Sequence, residues 1–104
     1  MSQFYSLNVS AIDLNTADAV VLTLDVPVDL YSTFEYLAGQ YISLELTIDG
    51  VPVRRSYSIC SSPSSNLLKV GVKEVLSGVF STYANQKLKV GYQILVSAPK
   101  GRFV

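Results

Sequence analysis

The chain has no histidine and no tryptophan, one cysteine at position 60, one methionine and four prolines. Histidine is the commonest metal ligand and the side chain that titrates nearest neutral pH, so its absence removes the usual general base. One cysteine without histidine cannot assemble a structural zinc site. Cys60 has no second cysteine to pair with, which fits a reducing compartment. Eight basic side chains balance eight acidic ones. A phosphate backbone demands a net basic face, so this balance argues against nucleic acid as a partner and leaves room for one local basic spot. No stretch approaches the ~20 apolar residues that span a bilayer. The segment Met1-Ser2-Gln3-Phe4-Tyr5-Ser6 carries neither the basic region nor the apolar run of a signal peptide. The expectation is a cytoplasmic protein with no membrane partner.

What the chain does have is apolar residues, 49% of its 104 positions, arranged with period two. Tyr5, Leu7, Val9 and Ala11 alternate with small polar residues, as do Val20, Leu22, Leu24 and Val26. Ile42, Leu44, Leu46 and Ile48 form the cleanest run, followed by Leu68, Val70 and Val72 and by Ile94, Val96 and Ala98. Asp49-Gly50 sits between two such runs and marks a two-residue hairpin turn. Further breaks are expected at Asn15-Thr16, Ala38-Gly39, Ser61 to Asn66 and Val90-Gly91, with a loop from Pro27 to Glu35. Short strands separated by turns imply an all-β barrel or sandwich. One segment departs from this rhythm: Val79, Phe80, Tyr83 and Ala84 fall at helical spacing. A short helix is therefore expected from Val79 to about Gln86, preceded by Ser77 and opened by Gly78.

Three positions stand out chemically. A two-residue loop at Asp49-Gly50 sets Leu44 opposite Arg55 and Ile42 opposite Tyr57, which places the guanidinium on the core-facing side. A buried unpaired charge is too costly, so either a bulge near Pro52 re-aims the strand or Arg55 stands at a barrel rim, where an anion can meet it. The helix start at Gly78 offers backbone N–H groups and the positive end of a dipole to a phosphate, with the Ser81 hydroxyl one turn in. Tyr57, between Ser56 and Ser58, is a ring in a polar stretch and suits a flat heteroaromatic ligand. Alone, the first two are more often structural, a surface arginine and a hydrated helix end, and the third is about as often a ring packed at a barrel rim. Together they describe a site for a nucleotide-like cofactor.

Arg55-Ser56-Tyr57-Ser58 resembles the Arg-x-Tyr-Ser motif of the ferredoxin–NADP reductase superfamily. Ala38-Gly39-Gln40-Tyr41-Ile42 is similar to its Pro-Gly-Gln-Tyr segment, with Ala38 in place of proline. Val72-Lys73 is similar to the next strand, Gly78-Val79-Phe80-Ser81 to its Gly-x-x-Ser phosphate-binding helix start, and Pro99-Lys100-Gly101-Arg102-Phe103 to the end of its flavin domain. The pieces occur in family order over nearly the whole chain. The resemblance implies a six-stranded antiparallel Greek-key barrel with one short helix, an FAD-binding domain spanning residues 1–104. It implies Arg55 on the flavin pyrophosphate, Tyr57 on the isoalloxazine, Ser58 near its N5 edge, the backbone at Val72 and Lys73 along the flavin, and N–H groups from Gly78 through Val79 and Phe80 to Ser81 on the pyrophosphate. Ser56 completes the motif, and Cys60 is expected to serve packing. Tyr92, where the family often has aspartate, is expected on the surface.

The segments Arg54 to Ser61 and Phe80 to Asn85 are most similar to the reductases of multicomponent oxygenases, those acting with phenylacetyl-CoA oxygenases first among them. Such reductases take reducing equivalents from NAD(P)H and pass electrons to a [2Fe–2S] centre or an oxygenase component. FAD is preferred over FMN, although the same groups would hold one phosphate. No Gly-rich dinucleotide fingerprint and no cysteine set for a cluster appear here, so NAD(P)-binding and ferredoxin-like domains are expected elsewhere in a longer polypeptide. This chain alone is not expected to turn over. The rival reading is a small β-barrel module that binds a sugar, an oligonucleotide or another ligand without redox activity.

Overall fold

A computed structural model describes residues 3–74 and 78–101, with the backbone alone for residues 79–81. Ser77, the Ser81 hydroxyl and Arg102-Phe103, named above, therefore lie outside what is described. Six strands form one antiparallel sheet: β1 (Phe4–Thr16), β2 (Ala19–Asp25), β3 (Tyr41–Ile48), β4 (Val51–Ser58), β5 (Leu68–Lys73) and β6 (Gln93–Ser97). Among the described residues one α-helix, α1 (Val79–Gln86), lies between β5 and β6 in sequence. The expected helix and its bounds agree with the structure.

The strand order is β4-β3-β6-β1-β2-β5, so β6 inserts between two hairpins made much earlier in the chain. That insertion is the Greek-key feature. The sheet curls until its two edge strands approach each other. They join just past the end of β4, through a bridge between Ile59 and Val70 and a bond from Cys60 N–H to the Lys69 carbonyl (2.8 Å). Toward the start of β4 the edges separate, leaving a split barrel rather than a closed one. The helix packs against β5, β3, β4 and β2.

Alternation sends Leu7, Leu22, Ile42, Leu44, Val70, Val72, Ile94 and Val96 into one continuous core. The Asp49-Gly50 turn has positive φ at both residues (51° and 78°), the geometry of a two-residue hairpin whose twist matches its strands. The β3–β4 ladder runs without a shift from Ile48↔Val51 through Leu44↔Arg55 to Tyr41↔Ser58. This excludes the bulge near Pro52. Pro52 is tolerated because β4 is an edge strand.

Two local expectations need correction. The alternation read through Ala11 holds only to Val9, because a register shift at Ser10 adds a residue to β1. Ser10 donates to the Thr23 carbonyl (3.2 Å); beyond it Ile12 takes the inward place, and Leu14 is 84% exposed. The break expected at Asn15-Thr16 comes two residues later, at Ala17-Asp18. β1 continues to Thr16, whose hydroxyl donates to Asp18 Oδ1 (2.9 Å) across the turn.

Candidate functional site

The two adjacent arginines of β4 point to opposite faces, as period two requires. Arg54 lies on the outer face. Its Nε and Nη2 donate to Glu45 Oε1 at 3.0 and 2.8 Å, and its guanidinium carbon sits 4.3 Å from the centre of the Phe4 ring. Arg55 lies on the face of Leu44, which is fully buried, yet Arg55 itself is exposed because β4 flanks the split. Among the described residues Arg55 has no carboxylate partner, and its Nη1 donates to the Arg54 carbonyl at 2.7 Å. The rim alternative therefore describes Arg55, with its charge available to an anion.

Tyr57 shares that face, half-buried and packed against the core cluster. Burial pushes its phenol above the ordinary 10.0, and the nearby Arg55 charge pulls it part of the way back. The two side chains therefore sense each other. Ser56 and Ser58 face outward: the Ser56 hydroxyl meets the Ser43 hydroxyl at 2.9 Å, on the side away from Arg55 and Tyr57. Ser56 thus has only its backbone to offer a ligand in the split. Ser58 is exposed at the end of β4, opposite Tyr41, where the strand stops.

Across the split, β5 turns alternate backbone groups toward each neighbour. Lys69 gives its N–H to Ser61 Oγ (3.1 Å) and its carbonyl to Cys60, while Glu74 N–H bonds the Asp18 carbonyl on the β1–β2 side. Odd residues therefore face β4, so the Lys73 backbone points toward the split. Val72 faces β2 with its backbone and the core with its side chain. Of that pair, Lys73 is the better placed to line the opening.

At the start of α1 the cap residue is Gly78, at φ −82° and ψ 106°. Its φ is one any residue adopts, so what glycine contributes is the absence of a side chain, both as a cap and as an obstacle. The first intrahelical bond runs from Thr82 N–H to the Gly78 carbonyl (3.0 Å). The N–H groups of Val79, Phe80 and Ser81 thus have no acceptor within the helix. A cationic side chain and a half-buried ring stand on β4, and α1, whose start has no capping side chain, packs against β4 and β5. These are the chemical requirements of a planar ring carrying a diphosphate.

Tyr36 was not singled out from sequence. The Tyr36 hydroxyl lies 2.6 Å from Ser61 Oγ, 2.9 Å from the Ser62 carbonyl and 2.7 Å from the Leu67 carbonyl, tying down the loop that follows the Tyr57 strand. No local pattern marks a tyrosine for such a role. Gln40 donates to the Gly101 carbonyl (3.2 Å), and Tyr41 and Lys100 exchange two backbone bonds of 2.9 Å. These bonds bring Ala38–Ile42 and Pro99–Gly101 together beside Ser58. Gly101 has φ +118°, and a Cβ there would come within 3.4 Å of the Tyr41 ring. Cys60 is exposed, so its expected packing role is corrected: its backbone, not its thiol, is what the fold uses. Tyr92 is on the surface as expected.

A cleft of about 650 Å³ lies elsewhere, at the opposite end of β5 among Thr23, Asp25, Tyr31, Glu35, Tyr36 and Leu67. It contains none of the residues assigned to the ring or the phosphates. Among the described residues no cluster suits a metal ion, and no helix is long and apolar enough to cross a membrane.

Comparison with known proteins bears directly on this arrangement. The chain is 37% identical over 103 residues to a component of the 1,2-phenylacetyl-CoA epoxidase of Escherichia coli (strain K12), covering 99% of this chain and 29% of that protein. It is 42% identical over 71 residues to the glycine betaine monooxygenase reductase of Pseudomonas aeruginosa (strain UCBPP-PA14), covering 67% of this chain and 19% of that one. The chain thus spans less than a third of the length of these relatives. Its fold superposes with a TM-score of 0.81 on the flavohem-like FAD/NAD binding domain of nitric oxide dioxygenase from Vibrio cholerae O1 biovar El Tor, at 28% identity over 94% of this chain and 44% of that one. Residues 6–104 match the family described as oxidoreductase FAD-binding domain. That match takes in both edges of the split barrel and the helix between them, and the chain belongs to the oxidoreductase FAD-binding domain family.

Proposed function

We propose that the split between β4 and β5 is where this chain holds FAD, and that it serves as the flavin domain of a reductase supplying electrons to an oxygenase. The supporting observation is the division of labour between the two arginines. Arg54 is committed to Glu45, whereas Arg55 stands on the Tyr57 face without a carboxylate among the described residues. Arg55 would hold the pyrophosphate through charge-assisted bonds. Tyr57 would pack on the isoalloxazine, and Ser58, where β4 ends, would reach its edge. The backbone at Val72 and Lys73, Lys73 above all, would line the flavin, and the N–H groups of Val79, Phe80 and Ser81 would receive the phosphates after Gly78. Ser56 contributes backbone alone.

A bound flavin supplies two-electron acceptance and one-electron release, which the protein orients and tunes. This chain's own residues hold the phosphates, cover one ring face and keep the ring against the core. The likeness to the phenylacetyl-CoA epoxidase component supports a place in phenylacetate breakdown, with NAD(P)H as donor and NAD(P)-binding and ferredoxin-like [2Fe–2S] domains in the same longer polypeptide. The test of that role is oxygenation of phenylacetyl-CoA by its oxygenase component, driven by NAD(P)H through the full reductase polypeptide. Reduction of a glycine betaine oxygenase instead would refute the substrate assignment.

A further inference from the structure

We propose that Asn85 is a positioning residue for the phosphate end of this site, holding the start of α1 at its working distance from β5. The inference rests on the flavin reading above. A two-turn helix is marginal by itself, so its place is decided by what anchors it. Among the described side chains its apolar anchors are Ala84 within the helix, Tyr83 in part and Leu88 just after it. Apolar contact is non-directional and lets a short helix slide. The far end carries directional bonds. Asn85 Nδ2 donates to the Val72 carbonyl (3.1 Å, part-buried), and Gln86 Nε2 donates to Glu74 Oε2 (2.8 Å, exposed).

Both acceptors flank Lys73, the residue whose backbone faces the split. The helix is therefore registered to the strand that borders the opposite side of the same opening. Asn85 lies six residues past Val79, roughly 9 Å along the axis, so a small shift at Asn85 moves the phosphate-facing N–H groups as a unit. The more buried of the two bonds carries the register, because water competes less for it. Asn85 touches no cofactor atom in this scheme and acts through the placement of the helix.

The test uses Asn85→Ala, the near-isosteric Asn85→Asp, which lacks the amide donor, and Gln86→Ala as the exposed control. Each is titrated with FAD and with riboflavin, which has the ring but no phosphate, with thermal melting alongside. Loss of a part-buried bond is expected to weaken FAD by about tenfold in both Asn85 variants. Riboflavin affinity should hold steady, and Gln86→Ala should change FAD affinity less than the Asn85 variants do. Equal losses for FAD and riboflavin would show general loosening and overturn the inference. Unchanged FAD affinity in Asn85→Asp would overturn it as well, and would stand even if Asn85→Ala failed to fold. Wild-type protein that binds no FAD would instead overturn the flavin reading, and this inference with it.

Discussion

Arg54 and Arg55 carry the same charge and sit side by side, and the fold gives them different work. The Arg54 pair is a surface ion pair, of a kind that contributes about 0–1 kcal/mol to stability. Arg55→Ala is expected to weaken FAD binding by about 1.5–3 kcal/mol, the range for hydrogen bonds to charged groups. Arg54→Ala should leave FAD affinity within twofold (~0.4 kcal/mol). Equal effects in a fluorescence titration would contradict the assignment. Tyr57 offers a second test. Its phenol keeps its proton at a pH where the unfolded chain has begun to lose it, so the folded state binds more protons above pH 10.0. The stability it contributes is intact below that value and lost as pH climbs through its raised pKa. The urea midpoint of wild type should therefore fall relative to that of Tyr57→Phe as pH rises from about 9 to about 11; parallel curves would exclude the shift. Arg55 was legible because it breaks an apolar alternation, and Tyr57 because it is a ring in a polar stretch. The sequence could not separate Arg54 from Arg55 in partners, since Glu45 and Phe4 reach Arg54 only through strand pairing.

Among elements, the β3–β4 hairpin was the most legible. Asp49-Gly50 fixes the turn, and the turn fixes every pair down to Tyr41↔Ser58. Its inner row carries Ile42 and Leu44, both fully buried. Leu44→Ala is expected to cost about 2–5 kcal/mol, because the surrounding core closes only partly around the lost volume. A loss below ~1 kcal/mol in urea denaturation would mean that this row is not part of the close-packed core. The bulge at Ser10 escaped detection because small polar residues on either side of Val9, Asn8 and Ser10, keep the alternation looking regular. The helix was legible from its spacing. The role of Asn85 was not, since its acceptor lies on a strand thirteen residues earlier.

For the whole molecule, local periodicity reveals strands but not their neighbours. The order β4-β3-β6-β1-β2-β5 depends on β6 pairing with β1 and β3, far away in sequence. It was family-order motifs rather than alternation that foretold the Greek key. The split in the barrel follows from the same topology: two edge strands meet at Ile59 and Val70 and then part, and the helix packs where they part. The residues proposed to hold FAD lie on the elements around that split, while a cleft at the other end of β5 contains none of them. The most direct test is a fluorescence and absorbance titration of the purified chain with FAD, with FMN in parallel. Saturable quenching by FAD, weaker for FMN, is the expected result; an FAD signal that never saturates, and is no different from that of free flavin, would contradict a flavin site in the split.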